Sequence, residues 1–174
     1  MKNIVWLASY PKSGNTWVRA IVCSALFGSL DIRKLGKMIP NFSVIAAQLK
    51  QEKFDTPGQI RHLWGQAQKH LCESSGSNRI LLKTHNAAGV YDIGEFPSRQ
   101  FTQKAVYVVR DPRDVAISYS HHFGHDLQTS INSLLNESNF NFNPKDLSRG
   151  EFLSSWGNHV KSWRNTPFPV LLIR

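Results

Sequence analysis

The stretch from Val5 to Trp17, with the sequence VWLASYPKSGNTW, restricts the possible folds of this chain more than any other. It begins with an apolar run typical of a buried parallel strand and passes through a turn that contains Pro11 and Gly14. Apolar residues then recur at helical spacing, at Trp17, Ile21, Val22, Ala25 and Leu26. This order of strand, loop and helix is the unit from which α/β proteins are built, so we predict a parallel sheet flanked by helices.

The loop between this strand and this helix carries groups that bind anions. The start of a helix leaves backbone N–H groups without intrahelical partners and holds the positive end of the helix dipole. Lys12, Ser13 and Thr16 add a positive charge and two hydroxyl donors at the same place. We therefore interpret the loop as an anion-binding element, the alternative being an ordinary turn with a solvated lysine.

The loop differs from the P-loop of nucleotide-binding proteins. That signature needs a glycine, four further residues and then Gly-Lys-Ser or Gly-Lys-Thr, whereas here Lys12 precedes Gly14. A P-loop nucleotide or small-molecule kinase would also need a metal-holding aspartate at a strand end, and Asp111 is merely near such a position. A kinase is therefore the alternative enzyme class for this chain.

A second unit of strand, loop and helix follows later in the chain. Ala105 to Val109 is its clearest buried strand, and Pro112 after a capping Asp111 is typical of the first turn of a helix. Arg110 at the strand end and Ser118 two turns into the helix could contact one phosphate together. The alternative is a helix start with local Asp-Arg pairs on its surface.

A third segment, Arg79 to His85, is a short apolar run that ends in Lys83, Thr84 and His85. Chemically active residues at the carboxyl end of a parallel strand are typical of α/β active sites. Lys83 and His85 are two residues apart, so we expect their side chains to project to the same face of an extended segment. A single histidine is more often a bystander, and the anion-binding loop is what favours a catalytic role.

Length, composition and charge exclude some classes of protein. The 174 residues are enough for one domain with a real core, and we predict a single domain over residues 1–174. The net charge of +9 attracts polyanions, anionic lipids and small anionic substrates alike. Two cysteines make no disulfide framework, and neither a signal peptide nor an 18-residue apolar stretch is present, so we expect a cytoplasmic protein without a membrane span. His121, His122 and His125 lack a metal-binding pattern, so no metal is expected.

The remaining segments predict further elements of an α/β domain. Residues 55–58 indicate a turn and a helix cap, and residues 127–143, rich in Asn and Ser, indicate a loop or a short helix. We predict helices within 42–53 and 60–71, and an amphipathic helix from Asp146 that carries Phe152, Trp156, Val160 and Trp163. Val170 to Ile173 indicates a last strand.

Three of these motifs resemble segments of the sulfotransferases that use 3′-phosphoadenosine 5′-phosphosulfate (PAPS). Tyr-Pro-Lys-Ser-Gly-Asn-Thr-Trp resembles their 5′-phosphosulfate loop, Lys-Thr-His the segment with their general base, and Val-Val-Arg-Asp-Pro-Arg-Asp-Val-Ala-Ile-Ser-Tyr their 3′-phosphate element. Asn15 stands where cytosolic members more often have threonine, and Asn86-Ala87 where many have Leu-Pro. The resemblance implies a P-loop-like three-layer fold with a central parallel sheet. It also implies that the cofactor-binding residues are Lys12, Ser13, Gly14, Asn15, Thr16, Trp17, Arg110 and Ser118.

The resemblance further implies transfer of a sulfuryl group from PAPS to a hydroxyl or amine of a small molecule, with no metal required. Lys12 would neutralise the leaving phosphate, Lys83 would hold the sulfuryl group, and His85 would take the acceptor proton. In this family further helices and a basic, glycine-containing segment follow the last strand. We therefore expect a short form of the domain, truncated at its C-terminal end, with a cofactor site that is open on one side.

The high net charge keeps one non-enzymatic alternative open, a basic nucleic-acid-binding module. The basic residues of this chain are spread along its length and are not interleaved with aromatic residues on one element. Proteins that bind nucleic acid usually concentrate such residues on one face or one helix. The sequence therefore predicts a small-molecule enzyme without a nucleic-acid partner.

Overall fold

The structure is a computed structural model, and it describes residues 3–28, 31, 34–49, 61–91, 94–143 and 146–174. Its strands are β1 (Ile4–Ser9), β2 (Ile80–Thr84), β3 (Gly89–Tyr91), β4 (Gly94–Phe96), β5 (Thr102–Val108), β6 (Phe140–Asn143), β7 (Asp146–Phe152) and β8 (Val170–Ile173). Its helices are α1 (Asn15–Phe27), α2 (Leu35–Met38), α3 (Phe42–Gln48), α4 (His62–Ser74), α5 (Pro112–Phe123), α6 (Leu127–Leu135) and α7 (Trp156–Arg164).

The central sheet has four parallel strands in the order β2-β1-β5-β8. Ala8 of β1 is level with Thr84 of β2, and Ser9 is level with Val108 of β5. The carboxyl ends of these three strands therefore meet at one edge of the sheet. This edge is where the loop after β1, the end of β2 and the loop after β5 come together.

Helices cover both faces of this sheet. Side chains alternate between the two faces along β1 and β5, and one face carries Ile4, Trp6, Ala8, Ala105 and Tyr107. These side chains form one core with buried residues of α3, α4 and α7. On the other face, Ala20 and Cys23 of α1 pack with α2 and with Leu81 of β2. A third cluster joins α5 and α6 around Tyr10. The predicted α/β class and the three-layer arrangement with a central parallel sheet are confirmed.

The strand-loop-helix units lie where the sequence predicts them. Asp111 accepts a hydrogen bond from the backbone N–H of Arg113 and so caps α5, and Pro112 occupies the first turn. The helix α1 forms as predicted, but its apolar residues are not its buried side. Trp17 and Ile21 are exposed, and the smaller Ala20 and Cys23 are buried against α2 and Leu81 of β2.

Two stretches differ from the sequence-based predictions. The predicted helix from Asp146 begins only at Trp156, since residues 146–152 pair with β6 as an antiparallel hairpin. Its side chains Val160 and Trp163 pack against the sheet as expected, while Phe152 does so from a strand. Residues 127–143 contain α6 and also the strand β6. The turn and cap predicted at 55–58 lie outside the described residues.

Candidate functional site

A cavity of about 380 Å³ opens at the carboxyl edge of the sheet, between the loop after β1 and the start of α5. The structure brings eight of the predicted site residues around it: Lys12, Gly14, Asn15, Thr16, Trp17, His85, Arg110 and Ser118. Ser13 lines an adjoining cleft that shares Gly14, Trp17 and Arg110 with the cavity. Four lining residues were not assigned to this site from the sequence, namely Pro11, His122, Phe123 and Asn141.

The backbone of the first loop is shaped for an anion. Lys12 has a φ of 66° and Gly14 a φ of 102°, both in the left-handed region, where a residue other than glycine is strained. Gly14 is the N-cap of α1 and has no side chain to cap it, so the first N–H groups of the helix remain available. The Ser13 hydroxyl is buried and has no hydrogen-bond partner within the described residues. These features favour an anionic ligand against the loop.

Asn15 ties this loop to the strand before it. Its side-chain amide donates to the carbonyl of Leu7 at 3.3 Å and to the hydroxyl of Ser9 at 3.2 Å. The Ser9 hydroxyl lies 3.2 Å from Nδ1 of His85. The start of α1 and the histidine are therefore joined through Ser9. Trp17, by contrast, is 77% exposed at the margin of the cavity, where its ring is free to meet a ligand.

Arg110 on the loop after β5 and Arg113 in the first turn of α5 have different partners. Arg110 donates to the backbone carbonyl of Lys12 at 3.2 Å and lies 3.8 Å from Asp114, so it stays at the cavity and links the two loops. Arg113 pairs with Asp111 at 2.7 Å on the surface. Hydrogen bonds from Arg113 lower the pKa of Asp111 well below its ordinary value. Ser118 faces the cavity from the next turns of α5.

His85 is half-buried directly after β2, and its hydrogen bonds fix its tautomer. Nδ1 lies 2.7 Å from the carbonyl oxygen of Ser9, and a carbonyl oxygen can only accept. We therefore assign the proton to Nδ1, which leaves Nε2 as an acceptor. Burial and then the charge of Lys83 lower the pKa of His85 to about 3, so the ring is neutral at pH 7.

Buried residues from two further elements hold the backbone of His85 in place. Its N–H donates to Glu151 of β7 at 3.1 Å, and its carbonyl lies 2.9 Å from Nε2 of His159 on α7. Nε2 of His159 must carry the proton in this contact, which leaves Nδ1 to accept from the hydroxyl of Tyr107 at 2.8 Å. Burial lowers the pKa of His159 to about 4. The position of His85 is therefore set from β1, β7 and α7.

Lys83 lies in β2, two residues before His85, but is not among the residues that line the cavity. Its ammonium group is buried and lies 3.3 Å from Glu151. Burial lowers the pKa of Lys83, while the carboxylate of Glu151 opposes that change. Lys83 and His85 thus meet at Glu151, the former through its side chain and the latter through its backbone. The predicted contact of Lys83 with a sulfuryl group stays a prediction.

Sequence reasoning missed Glu151 and His159. Glu151 is 66 residues from His85 in the chain, and His159 is 74 residues away. The apolar neighbours Phe152 and Leu153 indicate that Glu151 is buried, and a buried charge needs a partner. Nothing in the local sequence, however, identifies that partner as Lys83.

Comparison with known proteins gives the family. The sulfotransferase domain model matches residues 2–172, nearly the whole chain. The chain belongs to the sulfotransferase family. Sulfotransferase 1B1 of Mus musculus is 32% identical over 159 residues, which are 90% of this chain and 46% of that protein. Luciferin sulfotransferase of Photinus pyralis is 28% identical over 173 residues, with 96% and 44% covered. This sulfotransferase-family chain thus spans about half the length of the curated relatives it matches.

Solved structures agree with the fold of this sulfotransferase-family chain. A retinol dehydratase in complex with retinol and PAP aligns with a TM-score of 0.55 at 20% identity. The alignment covers 99% of this chain and 55% of the other. A second structure, retinol dehydratase with androsterone and the inactive cofactor PAP, aligns with a TM-score of 0.54 at 21% identity. At these identities the likeness concerns the fold.

Within the described residues of this sulfotransferase-family chain, no group of three or more His, Cys, Asp or Glu side chains could hold a metal ion. Over the same ranges, none of the helices has both the length and the apolar character that a membrane span requires.

The lowered pKa values of His85 and His159 in this sulfotransferase-family chain predict a loss of stability in acid. An unfolded histidine titrates near pH 6.5, whereas His85 and His159 titrate at about 3 and 4 in the fold. Between these values the unfolded chain binds more protons, so the free energy of unfolding falls as the pH falls from about 6.5. Each of the two histidines contributes about 1.4 kcal/mol per pH unit over this range. We therefore expect the free energy of unfolding to be lower by up to roughly 5 kcal/mol at about pH 4.5.

Urea unfolding at a series of pH values measures this loss. In a His159→Gln variant the slope between about pH 6.5 and pH 4.5 should be roughly halved, because one of the two groups no longer titrates. His70→Gln, at an exposed position on α4, is the matched control and should keep the full slope. Equal stability of the wild-type chain at pH 7 and pH 4.5 would contradict the prediction.

Proposed function

We propose that this chain transfers a sulfuryl group from PAPS to a hydroxyl or amine of a small-molecule acceptor. One observation carries the proposal: the loops that follow the adjacent strands β1 and β5, with Lys12 and Arg110, converge on the cavity that also contains His85. Membership of the sulfotransferase family supports this chemistry over that of a kinase. The retinol dehydratase neighbours were solved with PAP. PAP is 3′-phosphoadenosine 5′-phosphate, the product that remains after PAPS has lost its sulfuryl group.

In this proposal each loop holds one end of the nucleotide. Lys12, the Ser13 hydroxyl and the free N–H groups at the start of α1 would bind the 5′-phosphosulfate. Arg110 on the second loop and Ser118 on α5 would bind the 3′-phosphate. The unpartnered hydroxyl of Ser13 fits this assignment, because a buried donor without a partner is costly unless a ligand satisfies it. Thr16 and Trp17 would complete the nucleotide site at the margin of the cavity.

The roles of the protein groups in the transfer follow from charge and tautomer. PAPS, when bound, supplies the sulfuryl group and a phosphate that leaves with growing negative charge. Lys12 and the backbone N–H groups would stabilise this charge, since donors already in place need no reorganisation during the reaction. His85 would take the proton from the hydroxyl or amine group of the small molecule that receives the sulfuryl group. The proton would go to Nε2, the ring nitrogen that the contact with Ser9 leaves unprotonated. Anionic groups bound nearby would raise the pKa of His85 and so make it a stronger base.

Binding of PAP and of adenosine 5′-phosphate, which lacks the 3′-phosphate, tests the nucleotide site. We expect PAP to bind at least about tenfold more tightly, since a hydrogen bond to a charged group contributes about 1.5 to 3 kcal/mol. Ligand-detected NMR measures both affinities even where binding is weak. In Arg110→Ala and in Ser118→Ala this preference should fall towards equality.

Arg113→Ala is the matched control for Arg110→Ala, because Arg113 lies three residues further on, in the first turn of α5, but pairs with Asp111 and does not line the cavity. It should keep the preference for PAP. Equal affinity of the wild-type chain for the two nucleotides, or an unchanged preference in Arg110→Ala, would count against the assignment of the second loop.

Transfer itself is tested with PAPS labelled in its sulfuryl group and a panel of phenols, aliphatic alcohols and amines. We expect label to appear in at least one acceptor class and to require no added metal ion. Binding of PAP without transfer to any acceptor would limit this chain to nucleotide binding. Stabilisation by Mg²⁺·ATP but not by PAP would instead favour the kinase alternative.

A further inference from the structure

Glu151 is a buried carboxylate at the site to which neither the family motifs nor the proposed mechanism gives a role. It lies on β7, is 5% exposed, and its Oε1 lies 3.3 Å from the ammonium of Lys83. The same oxygen accepts from the backbone N–H of His85 at 3.1 Å and from the side-chain amide of Asn41 at 3.4 Å. One oxygen atom thus connects the end of β2 with the hairpin strand β7 and with the cap of α3.

The burial of this ion pair has an electrostatic consequence. An ammonium group away from water loses its proton more easily, and a carboxylate gains one more easily, unless each charge compensates the other. Burial accordingly lowers the pKa of Lys83, and Glu151 raises it again. Burial raises the pKa of Glu151, but the charge of Lys83 and the hydrogen bonds from Lys83 and from the backbone N–H of His85 outweigh that effect and leave it below its ordinary value. Glu151 is therefore charged at neutral pH, and its carboxylate lies where it favours the protonated form of Lys83.

The other charged groups near Lys83 do not help it to keep its proton. Arg19 on α1 carries a like charge, which lowers the pKa of Lys83 further. Asn41 is uncharged, and His85 and His159 are neutral at pH 7. Among the groups that act on Lys83, Glu151 is the one that favours its charged form.

We propose that Glu151 is a positioning residue of the transfer site, which keeps Lys83 protonated and holds Lys83 and the backbone of His85 together at the end of β2. The role of a charged lysine beside the base rests on the proposed function. The interaction of Glu151 with Lys83 is independent of that function, because it depends only on contacts within the protein.

The pH titration of Lys83 in the 174-residue chain tests the charge. Lysine labelled with ¹³C at Cε reports protonation of each side chain by NMR, and a Lys83→Arg variant assigns the signal. An opposite charge at this distance shifts a pKa by about 1 to 3 units, so Glu151→Gln should lower the pKa of Lys83 by at least about one pH unit. Glu95→Gln removes the carboxylate from the surface pair with Arg99 and is the matched control, with Lys83 unchanged.

Turnover and nucleotide binding separate positioning from general damage to the site. In Glu151→Gln we expect kcat to fall at least about tenfold while the affinity for PAP, which the two loops determine, stays within about twofold. Glu151→Asp keeps the charge and should recover part of the loss. If Glu151→Gln does not fold, the titration is done on Glu151→Asp. The shorter side chain moves the carboxylate away from Lys83 and weakens its effect, so the pKa of Lys83 should fall by a smaller amount.

The outcomes distinguish the two proposals. A pKa of Lys83 that is the same in the wild-type chain and in the Glu151 variants overturns the inference whether or not the chain is active. A lowered pKa with full turnover overturns the positioning role. A lowered pKa in a chain that transfers no sulfuryl group to any acceptor supports the hold of Glu151 on Lys83 and refutes the proposed function instead.

Discussion

Replacement of His85 by alanine is expected to lower the rate of sulfuryl transfer by about 10²- to 10⁴-fold, the usual contribution of a general base. The physical reason is the tautomer. Nδ1 donates to the carbonyl of Ser9, so Nε2 is the nitrogen that can accept a proton in the cavity. The substitution removes this acceptor and leaves the two anion-binding loops in place. The affinity for PAP should therefore stay within a small factor of the wild-type value.

Single-turnover kinetics and PAP binding measure these two effects separately. His70→Ala is a suitable control, because His70 is exposed on α4 and lies outside the cavity. It should change neither quantity. His85→Gln retains a polar side chain of similar length but no basic nitrogen, so it should be nearly as slow as His85→Ala. Near-normal turnover in either His85 variant would remove this residue from the role of base.

Replacement of Lys12 by alanine should impair both nucleotide binding and transfer. A hydrogen bond to a charged group contributes about 1.5 to 3 kcal/mol, so we expect PAP to bind about 10- to 100-fold more weakly. Loss of a donor that stabilises transition-state charge lowers kcat by about 10²- to 10³-fold, and we expect a loss of that size here. Calorimetric binding of PAP and initial rates with labelled PAPS measure the two effects.

Arginine at this position tests the geometry as well as the charge. Lys12→Arg should restore part of the binding but not the turnover, because a planar guanidinium does not replace a compact ammonium at the leaving oxygen. Neither substitution relieves the positive φ of this residue, since alanine and arginine are as strained there as lysine. Lys69→Ala, at an exposed pair with Glu73, is the control. Full activity of Lys12→Arg would show that only the charge matters.

The structure shows how the segment after His85 is held. Asn86 is fully buried and hydrogen-bonded to several elements. Its side chain donates to the hydroxyl of Thr84 and accepts from the backbone N–H of Phe152, and its carbonyl accepts from the indole of Trp163. The segment after His85 is thus fixed to β7 and α7. A leucine side chain could make none of these side-chain hydrogen bonds.

The link between the two loops has a consequence for the variants of Arg110. This side chain donates to the backbone carbonyl of Lys12, so it contacts the first loop as well as the cavity. Arg110→Ala should therefore weaken binding of adenosine 5′-phosphate slightly in addition to abolishing the preference for PAP. Ser118 makes no such contact in the described part of the chain, so Ser118→Ala should affect only the preference.

The sequence by itself determined the fold class and the positions of the loops after β1 and β5, because both depend on local patterns. Three local features are enough to predict these elements, and each extends over only a few residues. They are the apolar run before Pro11, the glycine at the start of α1 and the Asp111-Pro112 cap of α5. A strand-loop-helix unit must also place its loop at the carboxyl edge of a parallel sheet. The motifs therefore predicted that Lys12, His85 and Arg110 would lie near one another.

Only the tertiary structure decided how these residues are held and which of their atoms are available. The sequence placed Lys83 and His85 on one strand, but it could not show that Lys83 is buried against Glu151, which is 68 residues away. The tautomer of His85 depends on a carbonyl in another strand, and its backbone is fixed by residues of β7 and α7. Contacts of this kind join distant parts of the chain through the packing of whole elements, and packing leaves no local pattern in the sequence.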